Sequence, residues 1–230
     1  MEKKSDSNYY SSIDASIEKS IFHLWERGGY HKDSITPATH VPEYRRHIAS
    51  RIRQETPIGG KIFSLGCGNG FVEAELIKDG YTVSAIDLHS DAVALSRRRG
   101  VQTEQKDFFE TDKHDFESVN CIYADGFIGH LYDHGHRLSL FFHHIETMLN
   151  GRSVNCVLSN DAPTNSKLEV QQHEAVPEFW YISAEHLASE VHSRGHQARI
   201  SEYFSYDRPL SGRRRRTIVT FRIRGRNIAE

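Results

Sequence analysis

Several features that would place the protein in a membrane or outside the cell are absent from the sequence. No apolar run approaches the roughly 20 residues needed to span a bilayer, and the opening residues MEKKSDSNYY lack the apolar segment of a signal peptide. Cysteine is scarce, with three residues at Cys67, Cys121 and Cys156, each in or beside an apolar run. We therefore expect a cytoplasmic protein with reduced core or site-lining thiols, and with no disulfide framework or zinc site.

An excess of basic residues is also absent. The 29 lysines and arginines face 31 aspartates and glutamates, so the formal net charge is -2. Nucleic-acid-binding proteins are usually more basic, and the composition therefore disfavours a nucleic-acid partner. Histidine is abundant, with 15 residues. However, the adjacent His143 and His144 point in different directions on a helix, and no HExxH motif occurs, so we predict no metal site.

The order of hydrophobic patterns predicts an α/β fold in one domain. Two helices come first, at 8–27 and from Pro42 to before Gly59. Strands are then expected near 61–65, 81–86, 101–106, 119–124 and 153–159, and helices near 69–79, 91–99, 136–149 and 183–194. Such alternation implies parallel βαβ units, whereas the last two strands, near 197–204 and 216–224, predict an antiparallel hairpin.

We therefore expect a doubly wound, mostly parallel seven-stranded sheet with a C-terminal antiparallel hairpin strand and helices on both faces. Residues 1–230 form one domain in this interpretation. Residues 1–58 are the two helices of an N-terminal lid, and residues 59–230 are the core, with an irregular insertion at 161–182.

Three glycines follow the first strand at alternate positions, in KIFSLGCGNG. In a doubly wound sheet the ligand lies at the carboxyl ends of the strands, and glycine lets the backbone turn sharply and approach a ligand. Asp87 ends the second strand, where its carboxylate can accept hydrogen bonds from two ribose hydroxyls. A dinucleotide motif would need G-x-G-x-x-G/A, but Phe71 stands at the third position, so the pattern favours another nucleotide-like ligand.

The segments FSLGCGNG, AIDL, QKDFF and IYADGFIGHL together resemble the class I S-adenosylmethionine (SAM) dependent methyltransferases, and most closely those that act on small molecules. The resemblance covers about residues 60–160 and implies SAM as the cofactor. It implies that the methionine end contacts Gly66, Cys67, Gly68, Gly70 and the carbonyl of Ala124, the ribose contacts Asp87, and the adenine contacts Leu88, Asp107 and Phe108. One departure concerns Ser64, because the family often has an acidic residue there.

Methyl transfer is an in-line displacement, so it needs a positioned acceptor and, where the acceptor carries a proton, a base. The segment after the fourth strand offers His130 first, because the ordinary histidine pKa of about 6.5 suits proton removal at neutral pH. Asp125 is the second candidate. Each also has a structural interpretation: His130 can brace the loop, and Asp125 can hydrogen-bond to backbone near the cofactor. For acceptor binding we predict Tyr9, Tyr10, His134 and Trp180.

The acceptor itself stays open. We predict transfer to nitrogen or oxygen of a small molecule in specialised metabolism, by a monomer or homodimer. RNA methylation is an alternative, because the arginine runs at 213–216 and 97–99 can hold phosphates, although arginines on an alternating strand splay to both faces. A metal-dependent catechol-type O-methyltransferase is another, with Asp125 and Asn160-Asp161 at the strand ends. Ser64 also leaves open a SAM-binding protein without enzymatic activity.

Overall fold

The computed structural model describes Tyr10, residues 20–31 and residues 33–226. The helices are α1 (Ile21–Glu26), α2 (Pro37–His40), α3 (Pro42–Glu55), α4 (Phe71–Lys78), α5 (Ser90–Arg98), α6 (Ile128–Leu131), α7 (Ser139–Leu149) and α8 (Ala184–Ser193). The strands are β1 (Lys61–Leu65), β2 (Thr82–Asp87), β3 (Gln102–Gln105), β4 (Val119–Asp125), β5 (Ser153–Asp161), β6 (Val170–Gln172), β7 (Trp180–Ile182), β8 (Ala198–Arg208) and β9 (Gly212–Arg224).

Seven of these strands form one sheet in the order β3-β2-β1-β4-β5-β9-β8. Strands β1 to β5 are parallel to one another, and β9 lies between β5 and β8 and is antiparallel to both. The predicted sheet and its C-terminal antiparallel hairpin are thereby confirmed. The chain moves outward from β1 in one direction and then from β4 in the other, so a crevice is expected above β1 and β4, at their carboxyl ends.

Apolar layers cover both faces of the sheet. Tyr44, Ile48 and Ile52 of α3 pack with Ile62 of β1 on one face. On the other face, the α7 residues Phe141, Phe142, Ile145 and Leu149 pack with Phe63 and Leu65 of the same strand. Burial on both faces explains why the parallel strands read as nearly continuous apolar runs. Within the described segments, no helix is both long and apolar enough to cross a membrane.

The segments outside the parallel core differ most from the sequence interpretation. Most of the predicted helix at 8–27 lies outside the described residues, and α1 falls within its second half. The insertion at 161–182 was expected to be irregular, but β6 and β7 form a hairpin in which Val170 pairs with Ile182. Three-residue strands carry too little alternation to be recognised in a sequence.

Adjacent residues of α7 test the packing. Phe141 is 1% exposed and Leu140 is 46% exposed. We expect Phe141→Ala to lower the free energy of unfolding by about 3–5 kcal/mol, because it leaves a cavity in the core. Leu140→Ala, the matched control, should change it by less than about 0.5 kcal/mol. Urea denaturation of both variants measures this, and equal destabilisation would contradict the orientation of α7.

Candidate functional site

The glycine turn joins β1 to α4 and lies against the end of β2. The backbone N–H groups of Gly66 and Cys67 both donate to the Ile86 carbonyl, at 2.9 and 3.2 Å. Gly66 has a φ of +68°, and a Cβ there would lie 2.8 Å from the Phe127 ring. Both the backbone conformation and the available space therefore require glycine. At Gly68, among the described residues, only Phe22 would lie within 4 Å of a Cβ, at 3.9 Å, so these residues leave this side of the turn open for a ligand.

Asp87 ties the end of β2 to the glycine turn. One carboxylate oxygen accepts from the Gly68 N–H and the other from the His89 N–H, each at 2.9 Å. The residue is 8% exposed. Burial raises the pKa of Asp87, and the two backbone donors oppose that effect. The predicted ribose-binding carboxylate is thus held at the crevice in one orientation.

Glu73, which the sequence analysis did not consider, supplies the carboxylate missing at Ser64. It lies in the first turn of α4, and the Ser64 hydroxyl donates to Glu73 Oε1 at 2.6 Å. The Glu73 side chain is buried. Burial raises the pKa of Glu73 to about 7, with a further contribution from Asp125 and Asp87. Serine and glutamate together therefore place an acidic group beside the end of β1.

Asp125 and Asp161 share the buried guanidinium of Arg216. Asp125 Oδ1 accepts from Arg216 Nε at 3.0 Å and from Nη2, and it also accepts from the Tyr44 hydroxyl at 3.0 Å. Arg216 Nη1 lies 3.1 Å from Asp161 Oδ1. The other Asp125 oxygen, Oδ2, is buried and receives no hydrogen bond from the described part of the chain. The two strand-end carboxylates are therefore bound to a cation from β9, while one oxygen stays available.

Asp161 has a second arginine partner. Arg208 Nη2 donates to Asp161 Oδ2 at 2.7 Å, and the Tyr206 hydroxyl donates to Oδ1 at 2.7 Å. Burial alone would raise the pKa of Asp161, but Arg208 and Arg216 hold it below its ordinary value. Asp161 is thus a fixed anion in a cluster of arginines.

His130, the first candidate base, lies in α6 just after β4. Its Nε2 is 2.9 Å from the Tyr10 hydroxyl, and its ring meets the Phe179 ring edge-on with centroids 4.8 Å apart. Tyr10 also contacts the rings of Phe22 and His89. The N-terminal segment and the β6-β7 hairpin therefore both reach His130 above the crevice.

Other predicted site residues lie in different surroundings. The rings of Trp180 and His134 meet edge to face with centroids 4.5 Å apart, and Trp180 also packs against Tyr132. Phe108 is buried against Phe127 and Phe141. Leu88 is half-exposed, Asp107 caps a short 3₁₀ turn through the Phe109 N–H, and Ala124 is buried at the end of β4. Tyr9 lies outside the described residues, and the contacts of all these residues with ligands stay predictions.

The two alternative functions rest on residues with other partners. The position between Asp125 and Asp161, where a catechol-type enzyme would hold its metal, contains the Arg216 guanidinium. Asn160 Oδ1 accepts from the Gly129 N–H, and its Nδ2 donates to the Trp180 carbonyl. In the run at 213–216, the first arginine pairs with Asp207, the second and third lie over tyrosine rings, and the fourth is buried. These arginines form no continuous phosphate-binding surface.

The sequence gives only weak indications that Glu73 and Arg216 are buried site residues. In FVEAELIK, Glu73 lies four residues before Ile77 and beside Val72 on the apolar side of α4, where a charged residue is unusual. Arg216 follows three other arginines, and that run conceals its burial. Tyr44 packs with Ile48 and Ile52 in the core beside α3, and nothing in their spacing indicates that its hydroxyl bonds to Asp125.

The chain has the fold of the class I SAM-dependent methyltransferases. A methyltransferase of Methanosarcina mazei superposes with a TM-score of 0.60 at 13% identity, over 76% of this chain and 98% of that chain. The 1,6-didemethyltoxoflavin-N1-methyltransferase of Burkholderia thailandensis, solved with 1,6-didemethyltoxoflavin and S-adenosylhomocysteine, gives 0.58 at 16% identity, over 79% and 78%.

The sequence comparison is more specific. A tabtoxin biosynthesis enzyme of Pseudomonas amygdali pv. tabaci is 40% identical over 201 residues, which span 87% of this chain and 80% of the relative. The chain belongs to the family of that enzyme. No protein-family model matches the chain.

Arg216 offers a test of the buried network. We expect Arg216→Gln to lower the free energy of unfolding by about 3–5 kcal/mol at pH 7, because it leaves buried carboxylates without their cation. Arg213→Gln, the control at an exposed pair with Asp207, should change it by less than about 1 kcal/mol. Urea denaturation at several pH values measures both variants.

The pH dependence has a defined sign. Because the folded-state pKa of Asp161 is lowered, its stabilising contribution is present above the ordinary aspartate pKa of about 3.9 and is lost as the pH falls through the lower folded-state value. The difference in free energy of unfolding between the parent and Arg216→Gln should therefore become smaller as the pH falls. A difference that is constant across the pH series would show that the carboxylates are not the cause.

Proposed function

We propose that the protein transfers a methyl group from SAM to a nitrogen or oxygen atom of a small molecule, within one domain formed by residues 1–230. The observation that carries this proposal is the concentration of carboxylates around the glycine turn. Asp87, Glu73 and Asp125 are all buried or nearly so, and Asp87 and Asp125 both interact electrostatically with Glu73. A site with this charge favours a cationic ligand, and SAM carries both a sulfonium and an ammonium group.

The residues present fit SAM in four respects. Asp87 can accept the ribose hydroxyls at the end of β2. The buried Asp125 Oδ2 lacks a hydrogen-bond donor among the described residues, and an ammonium group would supply one. Glu73, with a pKa raised to about 7 by burial, would be stabilised as the anion by a nearby cation. The open side of the turn at Gly68 leaves space for the methionine end.

SAM supplies an electrophilic methyl carbon on a sulfonium when it is bound. The protein then has to position the acceptor, exclude water and accept a proton where the acceptor carries one. His130 is the group we assign to the proton, because it lies in α6, the helix that follows β4 and Asp125. Tyr10 can orient the His130 ring through its hydroxyl. We assign Asp125 to cofactor positioning, because Tyr44 and Arg216 already occupy its Oδ1.

The comparisons support a small-molecule acceptor. The family relative takes part in tabtoxin biosynthesis by its name, and the Burkholderia thailandensis enzyme methylates a toxoflavin precursor by its name. We therefore place the reaction in specialised metabolism. We also propose that the acceptor contacts Tyr9, Tyr10, His134 and Trp180. We also propose a cytoplasmic monomer or homodimer.

Cofactor binding is tested first. The purified protein should bind SAM and S-adenosylhomocysteine more tightly than NAD. Asp87→Ala should weaken SAM binding by about 1–3 kcal/mol, because charged hydrogen bonds to the ribose are lost. Asp91→Ala is the control, since this nearby carboxylate on α5 is 39% exposed and faces His23. Isothermal titration calorimetry measures all three proteins, and tighter binding of NAD, or unchanged binding by Asp87→Ala, would refute the proposal.

The proton-acceptor role of His130 is tested by kinetics. His130→Ala should keep its affinity for SAM and lose about 10²–10⁴-fold in turnover. The parent should show an ascending limb in its pH profile near the ordinary histidine pKa of about 6.5, and the variant should lack it. His136→Ala changes an exposed histidine between α6 and α7, and this variant should retain the ascending limb. Parallel losses of SAM affinity and thermal stability would instead mean that His130 braces the loop.

A further inference from the structure

Arg214 is a cation that lacks a carboxylate partner. Arg208, Arg213 and Arg216 all form salt bridges, but within residues 20–31 and 33–226, and with Tyr10 included, none is found for Arg214. Its side chain is half-buried, and its Nη2 is inaccessible to solvent and has no hydrogen-bond acceptor in the same part of the protein. An unsatisfied buried guanidinium nitrogen is costly, so Nη2 is a candidate donor to an anionic group of a ligand.

The neighbouring carboxylates act on Arg214 only at longer range, since Arg214 helps to lower the pKa of Asp161 without forming a salt bridge to it. Arg214 shares one face of the sheet with Arg216, because residues two apart on a strand point to the same side. Asp125 and Asp161 are engaged by Arg216 and Arg208. The nearby Asp33 carboxylate accepts instead from the backbone N–H groups of Leu210 and Ser211. Among the described residues, three guanidinium groups and the carboxylates of Asp33, Asp125 and Asp161 thus lie at this end of the sheet, and Arg214 is the guanidinium without a carboxylate within salt-bridge distance.

A strip of aromatic rings connects Arg214 to the candidate base. The His130 ring contacts Phe179 with centroids 4.8 Å apart, and Phe179 contacts Tyr181 at 5.8 Å. The Arg214 guanidinium carbon lies 5.0 Å from the Tyr181 ring centroid. Phe179 and Tyr181 flank Trp180 in and beside β7, so both project from the same side of the hairpin. The strip therefore runs from the place where we assign proton removal to the unpaired cation.

We propose that Arg214 binds a carboxylate of the methyl acceptor, so that the substrate is an anionic small molecule whose apolar segment contacts the small exposed parts of Phe179 and Tyr181, which are 7% and 5% exposed. This assignment rests on the proposed methyltransferase function. The planar guanidinium presents a fork of donors that matches a carboxylate.

The binding test uses simple probes. Hexanoate, hexanamide and hexyl phosphate share an apolar chain and differ in charge. Each is titrated into the parent, Arg214→Gln and Arg213→Gln by calorimetry, with and without saturating S-adenosylhomocysteine. Arg213 is the matched control because it is the adjacent residue on the opposite face and is exposed. We expect the parent and Arg213→Gln to bind hexanoate about tenfold or more tightly than Arg214→Gln does, and to bind hexanamide weakly.

Three results would overturn the proposal. The first is the absence of saturable hexanoate binding by the parent, and the second is equal binding of hexanoate and hexanamide. The third is unchanged hexanoate binding by Arg214→Gln. Tighter binding of hexyl phosphate that depends on Arg214 would replace the carboxylate by a phosphate as the recognised group.

Thermal unfolding separates a binding role from a structural one. An arginine that only stabilises the fold would lower the Tm when replaced, as expected for Arg216→Gln. For Arg214→Gln we expect an unchanged or higher Tm without ligand, because removal of an unsatisfied buried cation relieves a desolvation cost. A fall in Tm as large as that of Arg216→Gln would contradict the proposal.

The two proposals can fail independently. Arg214→Gln should bind S-adenosylhomocysteine as the parent does. If the parent does not bind S-adenosylhomocysteine but binds hexanoate through Arg214, the anion site stands and the methyltransferase function falls. If S-adenosylhomocysteine binds and hexanoate binding does not depend on Arg214, only the carboxylate site is refuted.

Discussion

The shared ion pair of Arg216 with Asp125 and Asp161 is the interaction on which the carboxyl edge of the sheet depends. The guanidinium comes from the antiparallel strand β9, and the carboxylates end the parallel strands β4 and β5. Removing three charges from water costs several kcal/mol per ion, and the cost is offset only where the geometry is matched. The network thus links the antiparallel hairpin to the parallel core in one register. It also requires glycine at position 126, where φ is +74° and a Cβ would lie 2.9 Å from Arg216 Nη2.

Charge is distributed unequally on the two sides of this network. The side toward β1 and β2 carries Glu73 and Asp87 beside the glycine turn, and the side toward β8 carries Arg208 and Arg214. In a site of low polarisability such charges act over several ångströms. An acidic half suits a cationic cofactor and a basic half suits an anionic acceptor, so the separation of charge along the strand ends matches the two ligands that we propose.

Two segments outside the parallel core complete the site. In α1, Phe22 and Glu26 accept hydrogen bonds from the Asn69 side chain in the glycine turn, at 3.0 and 2.7 Å. The β6-β7 hairpin brings Phe179 to His130 from the other direction. Both segments contact groups that we assign to cofactor or acceptor binding. Specificity for the acceptor can therefore change in these segments while the sheet and its core stay constant.

The sequence by itself determined the parallel alternation, the glycine turn and the acidic residue at the end of β2, because each depends on local periodicity or on spacing within about 30 residues. The position of His130 after β4 makes it a candidate base, and that role stays a prediction. The tertiary structure alone decided which charges meet. Ser64 and Glu73 are nine residues apart, and Asp125 and Arg216 are 91 apart. The burial of one arginine in a run of four, and the lack of a carboxylate partner for another among the described residues, follow from the pairing of β9 with β5. Strand pairing at such separation depends on the whole core, which no local pattern encodes.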